Sequence, residues 1–267
     1  MGRLTEKLAR LRTDGESALV SYLMVGYPSY EVSLKAFYAV LSSGTDILEI
    51  GFPFSDPVAD GPTIQQAHET ALRNGITSRH VFQMAELMRR DFPDVPFLLM
   101  TYYNPIFRIG HEKFCTLARE SGIDGFLVPD LPPEECEPLR ETMHKHGLSL
   151  VLLASPTSTE ERLKLICGKT DDMVYYVSVT GTTGTRGELP LETLKRRLAL
   201  YRSLCAKPVV VGFGVSRAEQ VREISRLADG VVVGSLLVRL AGERRIEDLS
   251  DTVKKFKEAT IINRTGG

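Results

Sequence analysis

Residues 46–67 read DILEIGFPFSDPVADGPTIQQA, and the order of events in this stretch decides the fold. An apolar run, 46–51, gives way to a proline- and aspartate-rich connection, 52–61, and then to a helix start at Pro62 and Thr63. Proline suits the first turn of a helix because its missing N–H has no partner there anyway. The unit is therefore strand, long loop, helix. Seven more apolar runs recur along the chain: 18–24 (ALVSYLM), 96–101 (PFLLMT), 125–128 (GFLV), 148–153 (LSLVLL), 173–178 (MVYYVS), 208–213 (PVVVGF) and 230–233 (GVVV). Near-continuous aliphatic runs of this length read as parallel strands buried on both faces. The intervals between them carry helical periodicity, as in SRHVFQMAELMRRDF and PEECEPLRETMHKHG.

Eight such units in 267 residues, with no break in composition, predict one (β/α)8 TIM barrel filling residues 1–267 as a single domain. A doubly wound open sheet is the alternative arrangement of the same elements. Residues 3–12 predict an extra N-terminal helix over the lower mouth of the barrel. Two connections exceed the usual βα length: 52–61 after the second strand and 179–189 after the sixth. Loops that follow barrel strands lie at the catalytic face, so both are expected to carry site residues.

Within 46–51, period-two alternation puts Ile47, Glu49 and Gly51 on one face and Leu48 and Ile50 on the other. The outer helices need the apolar face, so Glu49 is expected to point into the barrel near its catalytic end. Burial there should raise its pKa, which suits a group that gives and takes a proton. A structural glutamate bonded to backbone or serine is the alternative. Asp60 lies in the following loop and reads either as a second carboxylate of an acid/base pair or as a helix cap. Asp56 caps or turns, between Pro53 and Pro57.

Glycines supply an anion site. The seventh strand ends in Gly212-Phe213-Gly214 and the eighth in Gly234-Ser235, the ordinal positions at which such barrels hold phosphate. Glycine lets backbone amides approach the anion, and a helix N-terminus favours negative charge. Gly184 in the sixth loop offers a further amide.

Other chemistry is argued against. A formal net charge of -1 gives no electrostatic case for nucleic acid or an anionic membrane. No apolar run approaches the ~20 residues that span a bilayer, and the charged start lacks a signal-peptide stretch, so a cytoplasmic location is expected. Cys115, Cys136, Cys167 and Cys205 are scattered without a CxxC and read as reduced thiols. The five histidines fall mostly in helix-like, charged surroundings, with His144 and His146 at a helix end, and no metal cluster is expected. No lysine ends a strand, since Lys207 precedes the seventh, so a Schiff-base aldolase is not indicated.

The run LEIGFPFSDPVADGPTIQQA, residues 48–67, closely resembles the signature of the tryptophan synthase α family. The resemblance extends over essentially the whole chain, through YYNP (102–105), DGFLVPDLP (124–132), YYVSVTGTTG (175–184), VGFGV (211–215) and VVGS (232–235). It implies a barrel enzyme that cleaves indole-3-glycerol phosphate to indole and glyceraldehyde 3-phosphate by a retro-aldol step. It implies Glu49 and Asp60 as the catalytic pair and Gly184, Gly214, Gly234 and Ser235 around the phosphate. Tyr22, Met100, Tyr102, Leu127, Leu153, Tyr175 and Phe213 would line the indole pocket, the loop with Asp56 would face a partner, and the loop around Thr183 would close over substrate. No cofactor is expected on this chain. The implied partner is a pyridoxal-phosphate β subunit in an α2β2 complex. A non-catalytic regulatory subunit and a stand-alone indole-releasing lyase remain as alternatives.

Overall fold

In chain order, the elements of the computed structural model are α1 (Arg3–Thr13), β1 (Ala18–Met24), α2 (Tyr30–Ser42), β2 (Ile47–Gly51), α3 (Pro62–Arg73), α4 (Ser78–Asp91) and β3 (Phe97–Met100). Then follow α5 (Tyr103–Ile109), α6 (His111–Glu120), β4 (Gly125–Leu127), α7 (Glu137–Lys145), β5 (Ser149–Ala154), α8 (Glu160–Lys169) and β6 (Val174–Val177). The series ends with α9 (Leu191–Leu204), β7 (Val209–Gly212), α10 (Ala218–Ser225), β8 (Gly230–Val233), α11 (Ser235–Gly242) and α12 (Ile246–Ala259). The structure describes residues 2–177, 191–212 and 214–262.

All eight strands pair in parallel and in sequence order, and β8 closes on β1 to complete the barrel. Each falls within one residue of an apolar run of the sequence, and the open-sheet alternative is excluded by that closure. Closure leaves no strand edge unpaired, which is why such short strands suffice.

Alternation along the strands sorts the core into two clusters. Leu19 and Leu23 of β1, Leu48 and Ile50 of β2, and Val209 and Val211 of β7 pack outward against the helices. Ala18 and Val20, Ile47, Leu98, Leu127, Val151, Val210 and Val232 point inward and fill the lower barrel. Leu4, Leu8 and Leu11 of α1 join this inner cluster, so the extra helix plugs the lower mouth as expected of residues 3–12. Arg3 fastens the plug, donating to Asp124 Oδ1 at 2.8 Å while Arg89 donates to Oδ2 at 2.8 Å. Asp124 also accepts from the amide of Phe97, tying the bottoms of β3 and β4 together. The lower barrel is thus filled and sealed. Any site must open at the other end.

One sequence expectation is overturned. Cys167 on α8 and Cys205, just past α9, form a disulfide with Cα atoms 5.8 Å apart. The two positions belong to α8 and to the end of its neighbour α9, whose packing brings together thiols 38 residues apart in sequence. Cys115 and Cys136 are free and buried, as expected of core thiols.

Candidate active site

Glu49 is the third residue of the five in β2, and its side chain enters the barrel, 1% exposed. Across the interior, Tyr175 of β6 donates its hydroxyl to Glu49 Oε2 at 3.3 Å. Burial pushes the Glu49 carboxyl up to about 8, opposed by the Tyr175 hydrogen bond and reinforced by the nearby charge of Asp60. Its other oxygen, Oε1, is buried without a hydrogen-bond partner among the described residues, and so is the hydroxyl of Tyr22, the residue paired with Glu49 on β1. Buried polar atoms ordinarily have partners, and two orphans in one chamber mark the place a polar ligand would fill. The phenols of Tyr22 and Tyr175 are both pushed up, first by burial and then by the surrounding carboxylates, so both remain hydrogen-bond donors.

Two glycines make the chamber's shape possible. A Cβ on Gly51 would stand 2.5 Å from the Tyr22 hydroxyl, and one on Gly212 would stand 2.9 Å from Tyr175 Cε1. Only glycine at the ends of β2 and β7 leaves room for these two rings.

Asp60 is not the cap of α3, because Gly61 occupies that position. Its side chain is instead 4% exposed and turned inward. Asp60 Oδ2 accepts from the Tyr102 hydroxyl at 2.8 Å and lies 3.2 Å from His68 Nε2. The Tyr102 hydroxyl accepts in turn from the amide of Ala59 at 3.0 Å, and its ring stacks on Phe54 at 5.1 Å. The loop after β2 is thereby folded back onto the end of β3. Its tip stays outside: Asp56 is exposed and bonded to Ser55, and Val58 is 80% exposed.

Met100, Leu153 and Tyr175 stand on the inner face above the filled layer, whereas Leu127 belongs to that layer and is fully buried within it. Gly234 caps α11 and lies against the Tyr22 ring, whose Cδ1 would be 3.5 Å from an added Cβ. The two candidate anion helices differ. At α10 the amides of Ser216 and Arg217 already donate to Gln220 Oε1 at 2.9 and 3.1 Å. At α11 no side chain among the described residues caps the N-terminus, and Ser235 is exposed there. Gly214 is exposed with open space beside it. Gly184, Thr183 and Phe213 lie outside the described residues.

The residue that sequence reasoning missed is His68, read only as one of several helical histidines. It shares the apolar face of α3 with Ala67 and Ala71, which was the one available signal. Tyr102, expected only as a pocket wall, also bonds Asp60 directly. Among the described residues no group of three or more His, Cys, Asp or Glu side chains is placed to hold a metal ion. His144 and His146 instead meet Asp171 and Glu112, each at 2.9 Å.

Comparison with known proteins identifies the family. The family model for the tryptophan synthase alpha chain matches residues 8–264. The tryptophan synthase alpha chain of Aquifex aeolicus is 66% identical over 258 residues, covering 97% of this chain and 98% of that one. That of Methanocaldococcus jannaschii is 42% identical, covering 92% and 86%. The crystal structure of tryptophan synthase subunit alpha from Legionella pneumophila superposes with a TM-score of 0.90 at 33% identity, covering 97% of this chain and 98% of that one. A sealed lower barrel, an inward glutamate with an orphaned oxygen and a match along almost the full length lead to one assignment: the chain belongs to the tryptophan synthase alpha chain family, carbon–carbon lyases that cleave indole-3-glycerol phosphate to indole and glyceraldehyde 3-phosphate.

Proposed function

We propose that Glu49 is the acid and base of this cleavage and that Asp60 holds the indole N–H. The observation that carries the reading is the Glu49 carboxyl itself: buried, pushed up to about 8, with Oε1 unpartnered in the chamber. At neutral pH such a group holds its proton and can donate it. Breaking the bond between indole C3 and the side chain requires a sink for its electrons. Protonation of C3 by Glu49 makes an indolenine cation, with positive charge centred on the ring nitrogen. The Glu49 carboxylate then takes the proton from the hydroxyl on the first side-chain carbon. The C3–carbon bond breaks, its electrons neutralise the ring, and the hydroxyl carbon becomes the aldehyde. Glu49 ends protonated, as it began. Asp60, accepting the ring N–H, stabilises the charge that develops there.

We place the substrate's planar ring between Tyr22, Met100, Tyr102, Leu153 and Tyr175, with Leu127 forming the floor; the family resemblance adds Phe213, which lies outside the described residues. Its phosphate belongs at Gly234 and Ser235, where no side chain among the described residues caps the helix amides, with Gly214 and, as the family resemblance implies, Gly184 adding to the cradle. Closing the loop around Thr183 over this assembly excludes water. The partner is a β subunit. We assign it to an α2β2 complex, with pyridoxal phosphate on the partner, the loop carrying Asp56 and exposed Val58 toward it, and the assembly in the cytoplasm.

Glu49→Gln tests the reading. The amide keeps the side chain's size and removes the proton, so indole release from indole-3-glycerol phosphate should fall by about 10²–10⁴-fold while substrate still binds. Turnover near the wild-type rate, with the β subunit present, would remove Glu49 from the reaction.

A further inference from the structure

We propose that His68 is a positioning residue for the cleavage: as the neutral Nε2–H tautomer it holds the Asp60 carboxylate so that Oδ1 meets the indole N–H. The inference rests on the assignment of Asp60 made above and extends it to a residue that touches no substrate atom.

Hydrogen-bond direction fixes the tautomer. The amide of Phe54 donates to His68 Nδ1 at 2.9 Å. A backbone N–H can only donate, so Nδ1 must present a lone pair. The proton of a neutral imidazole then sits on Nε2, the atom 3.2 Å from Asp60 Oδ2. Both side chains are only 4% exposed, so bulk water does not compete for these atoms. The ring also stands edge-on to Tyr102, 6.2 Å between centroids, which limits its rotation.

Two donors therefore converge on one oxygen of Asp60: the Tyr102 hydroxyl at 2.8 Å and His68 Nε2–H. Each donor is anchored to the loop backbone, Tyr102 through the amide of Ala59 and His68 through the amide of Phe54. Gln65 adds a bond from its side-chain amide to the Asp60 carbonyl at 2.8 Å. Oδ2 is fully engaged, and Oδ1 has no protein partner among the described residues. A carboxylate held on one oxygen is aimed with the other. His68 comes from the second turn of α3, so the rigid helix, rather than the loop, sets the aim.

His68→Leu and His68→Gln separate aim from packing. Leucine removes both ring nitrogens, whereas glutamine reaches to the Nε2 position with an N–H donor. With full-length protein and the β subunit added, His68→Leu should lower kcat for indole release roughly 10- to 100-fold with little change in KM. His68→Gln should recover most of that loss. The imidazole nitrogen NMR spectrum of the wild-type protein at neutral pH should show His68 protonated at Nε2 alone. Wild-type kcat in His68→Leu, failure of glutamine to do better than leucine, or an Nδ1–H or doubly protonated ring would each overturn the proposal. Asp60→Asn, run alongside, keeps the two readings apart. If it abolishes turnover while His68→Leu does not, only the positioning role falls. If it leaves turnover intact, the assignment of Asp60 falls and the positioning role with it.

Discussion

Tyr175 on β6 and Glu49 on β2 meet across the barrel interior through one hydrogen bond, hydroxyl to Oε2 at 3.3 Å. The bond favours the charged carboxylate and so works against burial, which favours the neutral acid. Burial wins. The bond nonetheless sets how far the carboxyl rises, and it offers a handle on the chemistry.

Replacing Tyr175 by phenylalanine removes that opposition. The Glu49 carboxyl should rise further, and the alkaline limb of the kcat profile, which the proposed mechanism assigns to loss of the Glu49 proton, should move to higher pH. A pH–rate profile of the Tyr175→Phe variant checks this, and a limb displaced toward lower pH would contradict it.

The same carboxyl makes stability depend on pH. Its value is raised from an ordinary 4.5 to about 8, so between those limits the folded protein keeps a proton that the unfolded chain releases. Stability from this group is complete below about 4.5 and is lost as pH rises through about 8. Glu49→Gln cannot ionise. Denaturant titrations of the two proteins should therefore diverge from pH 5 to pH 9, with the wild type losing on the order of a few kcal/mol relative to the variant.

Gly212→Ala puts a methyl group 2.9 Å from Tyr175 Cε1, closer than real Cβ contacts come. The ring must shift and take its hydrogen bond with it. Turnover should drop at least tenfold while the fold, measured by circular dichroism, persists. Unchanged kinetics would show that the chamber tolerates a displaced ring.

The disulfide between Cys167 and Cys205 spans 38 residues that include β6 and α9. Cross-linking a loop of that length restricts the unfolded chain by about 4 kcal/mol on the loop-closure relation. The double Cys167→Ser/Cys205→Ser variant should lose stability of that order in chemical denaturation. Its kcat should stay near the wild-type value below its melting range, because neither sulfur reaches the chamber.

Local sequence determined what depends on period and order. The eight apolar runs set the strands, their regular alternation with helices set a parallel sheet, which the pairing of β8 with β1 closed into a barrel, and period-two alternation turned Glu49 inward. Residues 3–12 likewise read as a covering helix, and the buried stripe of Leu4, Leu8 and Leu11 is a local pattern of that segment. Three-dimensional packing alone decided the rest. Asp60 keeps a helix cap as an alternative to a site carboxylate until the loop folds back on Tyr102, and His68 acquires its tautomer only from the amide of Phe54, fourteen residues earlier. Cys167 and Cys205 pair because two helices lie side by side, a distance that no spacing rule contains. Each of these outcomes is a meeting of atoms distant in the chain, and hydrogen-bond direction and sulfur pairing exist only once the backbone has closed around them.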